Sequence, residues 1–292
     1  MRTRTALLLY AASFLGVLLS GLLGQFLTPA LRVWVGAAAS VLFFGIPAYL
    51  GLCEIDGDQR GLLSLRRLSG AQALWLAASG ALLVCPMTLL SDVIAAVIAR
   101  FAAAFGAQAS AALSGADGMS LLLPMLLASG VLAPACEEVF FRGYLMGAFA
   151  RYGAARAVGM TALLFAAAHG MGADIAVYVL LGLVFAAASL RAGSVLASCL
   201  MHMAYNVTLI LLSATPLSLL FTGLTPVGCI VRLLGCAVLC YTAKRAWLAR
   251  GAREGHAQAI RPSRREMAVM LIALLLVIAA QVTAVLAAGG NA

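Results

Sequence analysis

Three short runs in an otherwise apolar chain carry the residue types that do chemistry. The first reads Cys136-Glu137-Glu138-Val139-Phe140-Phe141-Arg142-Gly143-Tyr144. On a helix Glu138 and Arg142 share a face and can pair, whereas Glu137 points about 100° away. Adjacent carboxylates repel, and one arginine cannot satisfy both. The spacing therefore predicts a structural Glu138–Arg142 pair and leaves Glu137 as a candidate general base. A salt network that locks two helices together is the plainer reading of the same residues. The second run, Phe165-Ala166-Ala167-Ala168-His169, sets an aromatic ring one turn below an imidazole. The third, His202-Met203-Ala204-Tyr205-Asn206, points an imidazole and a carboxamide the same way. Taken singly, each histidine also reads as a packing residue that hydrogen-bonds between helices.

Together these groups suit hydrolysis. A carboxylate and a histidine can hold and deprotonate a water, while a second histidine and an amide N–H can donate to a developing oxyanion. Two histidines and a carboxylate could instead hold zinc with an open position, and Glu137, His169 and His202 are the ligands that reading requires. The chain has no HExxH, no GxSxG, and no serine beside either histidine. A metal-free site is favoured, with zinc as the alternative, because Asn206 is a poor zinc ligand and Glu138 is committed to Arg142.

The elements that must position these groups follow from composition. The 292 residues are 64% hydrophobic and 10% charged, with a mean hydropathy of +1.07. Soluble domains are roughly 45–50% apolar and about 25% charged. A soluble enzyme, a disordered chain and a nucleic-acid binder are excluded. The net charge of +9 fits loops facing an anionic membrane surface. Seven cysteines, an odd number without a CxxC pair, argue against a disulfide framework or zinc ribbon.

A spanning helix needs about 20 apolar residues. Candidate spans lie at 5–28, 31–52, 71–98, 119–150, 157–170, 174–190, 194–213, 217–242 and 267–288. The expected fold is thus all-α, a polytopic bundle of 8–9 spans with a cytoplasmic N-terminus. Orientation rests on basic residues: the inward segments collect 15, the outward ones only Arg32 and Arg100. Seven of the 15 lie between Lys244 and Arg265, in a basic cytoplasmic loop at 243–266.

Ionisable residues inside a membrane are costly and mark function. Glu137 lies 14 residues before Arg151, His169 lies 13 after Arg156, and His202 lies 11 after Arg191. At ~1.5 Å per residue these depths are ~21, ~20 and ~17 Å. Three helices thus bring their polar groups to one level, as a single intramembrane site requires.

Glu137-Glu138-x-x-x-Arg142, Phe165-x-x-x-His169 and His202-x-x-x-Asn206, in order on successive apolar helices, resemble the three motifs of the CAAX-protease and bacteriocin-processing enzyme (CPBP) family of intramembrane proteases. The resemblance covers about 119–213 as a catalytic core. The helices of 1–118 and 214–292 carry no motif. It implies an endopeptidase acting on membrane-associated, lipidated or otherwise processed peptides. Glu137, assisted by His169, would activate water. His202 and Asn206 would line the oxyanion hole, and Glu138, Arg142 and Phe165 would support them. It further implies a multi-pass protein of a bacterial plasma membrane, its site reached from the cytoplasm, with peptide substrate and lipid as partners and no nucleic acid. The rival readings are a proton-coupled transporter or channel and a catalytically silent scaffold. No internal repeat supports the first.

Two charges stay outside this scheme. Asp92 lies near the outer end of the third span, and Arg232 falls mid-span with no carboxylate at i±4.

Overall fold

The computed structural model describes residues 3–53, 66–104, 119–170 and 174–248. Among them there are helices and no strand, and the protein is an all-α polytopic bundle. Eight helices follow one another: α1 (Thr3–Gly24), α2 (29–53), α3 (70–104), α4 (119–152), α5 (Ala154–His169), α6 (Ile175–Ala192), α7 (Val195–Ser213) and α8 (Pro226–Leu248). All except α5 contain a stretch long and apolar enough to cross a membrane. At ~1.5 Å per residue, α5 spans only about 24 Å, and His169 is its last residue.

Local sequence sets the boundaries. Pro29 opens α2, where a missing N–H costs nothing. Ser69 caps α3 by accepting the Gln72 N–H at 3.2 Å. Gly193, in the left-handed region at φ 60°, ends α6. Ser194 then caps α7 by accepting the Leu196 N–H and donates its own hydroxyl to the Arg66 carbonyl at 2.7 Å. The span expected at 217–242 differs. Pro216–Leu220 forms a short 3-10 turn, Gly223 turns the chain at φ 71°, and the long helix starts only at Pro226. Hydropathy runs through that turn unchanged, so apolarity alone drew the boundary too early. Residues 243–248 of the expected basic loop prolong α8. The rest of that loop and the span expected at 267–288 lie outside the described residues.

Helix α4 is the centre of the bundle. Phe140, Phe141 and Tyr144 are fully buried along it. Phe44 of α2 packs on the two phenylalanines at ring-centroid distances of 5.3 and 5.6 Å. From α1, the Tyr10 hydroxyl donates to the Leu164 carbonyl of α5 at 2.8 Å. Gly80 lets α3 touch α7, since a Cβ there would lie 2.3 Å from the Met201 carbonyl oxygen. Small residues at such crossings let membrane helices approach backbone to backbone. That contact fixes the turn of α7 that carries His202. Leu8, Leu23, Phe26, Val227 and Leu233 face outward, as a helix in lipid demands.

The two unexplained charges find each other. Arg232, fully buried on α8, donates from Nη1 to Asp92 of α3, from Nη2 to the Gly223 carbonyl and from Nε to the Gly228 carbonyl. Beside it, the Ser91 hydroxyl donates to Asp174 at the start of α6. The described cysteines, Cys85, Cys136, Cys199, Cys229, Cys236 and Cys240, are free thiols.

Candidate functional site

Helix α4 reaches the site through two π-helical turns, Leu126–Leu132 and Val139–Leu145, on either side of Ala133–Glu138. Such turns shift the side-chain register and often occur at functional sites. Within the second turn, Arg142 still meets Glu138, with Nη1 donating to Oε1 at 2.8 Å and both side chains fully buried. The same Oε1 accepts from His202 Nδ1 at 2.9 Å. Glu138 is therefore shared between Arg142 and His202, where sequence spacing gave it to Arg142 alone. Arg142 Nη2 donates to the Gly182 carbonyl of α6 at 3.0 Å. A buried charge is tolerable only when paired and hydrogen-bonded in this way.

Glu137 takes the other direction. Its Oε2 is buried, receives no hydrogen bond from any described protein group, and lies 3.6 Å from His169 Nε2. That is too long for a direct hydrogen bond. The other ring nitrogen, His169 Nδ1, is 2.9 Å from the Phe165 carbonyl. A carbonyl only accepts, so Nδ1 carries a proton, and in the neutral ring Nε2 is then an acceptor. A carboxylate oxygen and an imidazole lone pair thus face each other. The two side chains keep 13% and 24% of their surface exposed, unlike the buried Glu138.

Phe165 ties the two halves together. Its ring centroid is 4.3 Å from that of His169 and 5.7 Å from that of His202, and the Arg142 guanidinium carbon sits 4.4 Å above it. A cation over a ring face is attracted by the ring quadrupole. The phenylalanine one turn before the histidine therefore places both its carbonyl and its ring.

Asn206 has a duty that the spacing did not suggest. Within the first π turn the Ala133 N–H bonds to the Ala128 carbonyl, five residues back. The Ser129 carbonyl, next in line, would need the N–H of residue 134. That residue is proline and has none. Asn206 Nδ2 fills the gap, donating to the Ser129 carbonyl at 2.9 Å. A carboxamide carries two N–H groups, so one remains uncommitted. Pro134, three residues before Glu137 in an apolar run, was the available sequence signal. The part played by the Gly182 carbonyl has no such signal, because any residue supplies a carbonyl.

Among the described residues no three His, Cys, Asp or Glu side chains converge on an ion position, and His202 points Nδ1 at Glu138.

Residues 119–208 match the family described as type II CAAX prenyl endopeptidase Rce1-like. The match covers less than a third of the chain. The match agrees with the CPBP resemblance carried by the three motifs, and all seven motif residues fall inside it. The Rce1-like segment comprises α4, α5, α6 and most of α7, the four helices that build the site. No curated protein and no solved structure matches the chain significantly.

Proposed function

We propose that the chain is an intramembrane endopeptidase of the CAAX type, hydrolysing peptide bonds near the C-termini of lipidated or membrane-associated peptides. The observation that carries this reading is the pair of facing acceptors, Glu137 Oε2 and His169 Nε2, 3.6 Å apart. Two acceptors at that distance call for a donor with two protons. A water about 2.8 Å from each would subtend an angle of roughly 80° there, donating one O–H to each. Its lone pairs would then be free for a carbonyl carbon.

Attack forms the C–O bond as the water proton passes to Glu137. The carbonyl oxygen becomes an oxyanion, and the second N–H of Asn206 is placed on α7 to donate to it. His202 can donate from Nε2 only as the imidazolium, because its Nδ1 proton is held by Glu138. An imidazolium there would balance Glu137, Glu138 and Arg142 to zero net charge. Collapse breaks the C–N bond, and the proton on Glu137 leaves with the amine. The products are a carboxylic acid and an amine, and the acid's remaining water-derived proton then passes to the amine, giving a carboxylate and an ammonium. Donors fixed before reaction in a water-poor site are worth far more than in bulk water.

In this reading the protein sits in a bacterial plasma membrane with its N-terminus inside and the site open to the cytoplasm. Purified protein in liposomes should cleave a prenylated peptide ending in a CAAX sequence, and Glu137→Gln should not. Activity should survive exhaustive chelation. Chelator-sensitive cleavage restored by stoichiometric zinc would replace the water-only mechanism. Proton or solute flux without cleavage would replace the protease reading.

A further inference from the structure

Helix α6 carries none of the three motifs, yet one of its faces touches all of them. Tyr178, Gly182 and Phe185 are spaced i, i+4 and i+7, which stacks them along one side over about 10 Å. The Tyr178 ring lies on His169, with centroids 4.6 Å apart and planes inclined by 28°. The Phe185 ring lies on His202, again at 4.6 Å, with planes inclined by 23°. Between them the Gly182 carbonyl accepts from Arg142 at 3.0 Å.

We propose that this Tyr178–Gly182–Phe185 face is a positioning element that sets the ring planes of both histidines and the pose of the arginine. A hydrogen bond to Nδ1 fixes one ring atom but leaves the ring free to tilt about it. For His169 the tilt is limited by the Phe165 and Tyr178 rings packed against it, so Nε2 keeps facing Glu137. For His202 the bond to Glu138 fixes Nδ1, and Phe185 fixes the plane that aims Nε2. Gly182 is what allows α6 to stand so close. A Cβ there would lie 2.9 Å from the Ala162 Cα of α5, so any larger residue drives the two helices apart. The three residues transfer no proton and act through the groups they hold. One rigid helix therefore gauges the distance between the half of the site that would activate water and the half that would receive the oxyanion.

The kinetic arm of the test rests on the protease reading, and the spectroscopic arm does not. In protein labelled with 15N-histidine, with signals assigned from His169→Ala and His202→Ala, wild type should show His169 as a single tautomer protonated at Nδ1. Tyr178→Leu should average the His169 signals and leave those of His202 in place. Phe185→Leu should do the reverse. Tyr178→Phe keeps the ring and should keep the wild-type His169 spectrum. Tyr178→Met is run beside Tyr178→Leu as a second ringless variant, in case one of them fails to fold. With the prenylated CAAX peptide as substrate, Tyr178→Leu should lower kcat between roughly 10- and 100-fold with little change in KM, the scale expected of a small misplacement. Tyr178→Phe should retain most of kcat. Unchanged His169 signals in both ringless variants, or equal disturbance of both histidines by either substitution, overturns the proposal. If wild type does not cleave the peptide while the spectra behave as stated, the protease reading fails and the positioning element stands.

Discussion

Asn206 separates two kinds of contribution that motif recognition runs together. Its bond to the Ser129 carbonyl at 2.9 Å exists because Pro134 supplies no N–H. Asn206→Ala should leave that carbonyl without the donor that Asn206 supplies. Polar contacts between membrane helices average about 0.6 kcal/mol and reach about 1.7, while an orphaned acceptor costs about 1–3. A loss of about 1–2 kcal/mol is therefore expected, or about a tenfold rise in the unfolded fraction. Pro134→Ala returns an N–H to the helix and gives the carbonyl a partner of its own. In the double variant most of the stability lost in Asn206→Ala should come back, read as non-additivity in reversible unfolding of the detergent-solubilised protein. Activity reports on the second N–H. If that group serves the oxyanion, the double variant regains stability but remains slow by about 10²-fold or more. Strict additivity of the two stability losses would refute the capping argument. Recovery of rate together with stability would refute the oxyanion role.

Other substitutions test the frame around the site. Asp92→Asn should strand the fully buried Arg232 and cost about 3 kcal/mol, with most of that regained in Asp92→Leu combined with Arg232→Met; thermal unfolding measures both. Gly80→Leu should force α3 off the Met201 carbonyl and destabilise by about 1–3 kcal/mol, with a matching drop in the folded yield from membranes. Glu138→Gln removes the charge shared by Arg142 and His202. It should lower cleavage by about 10²-fold even where the protein still accumulates, as measured by initial rates per folded molecule.

The all-helical spanning architecture was legible because lipid leaves few choices for a chain this apolar. That Glu137, His169 and His202 lie near one another was also readable, since ionisable side chains stand out against alanine and leucine. What escaped was whatever depends on backbone. The Ser129 and Gly182 carbonyls carry no mark in residue type, and their roles arise from a proline-driven π turn and a glycine-permitted helix contact. The identity of partners on distant elements escaped too. Arg232 reaches Asp92 over 140 positions, and the i±4 search that found Glu138 for Arg142 cannot see that far. The sharing of Glu138 with His202 lay beyond reach for the same reason. The start of α8 was misplaced because a 3-10 turn with apolar side chains looks like helix to hydropathy.

Glu137, facing His169, is proposed as the base of a peptide-cleaving site. Mass spectrometry of protein C-termini and released peptides, comparing membranes that hold wild type with membranes that hold equal amounts of folded Glu137→Ala, tests it most directly. A set of new C-termini and short released peptides should be present with wild type and absent with Glu137→Ala and His169→Ala. The same fragments appearing at undiminished levels with Glu137→Ala would contradict it.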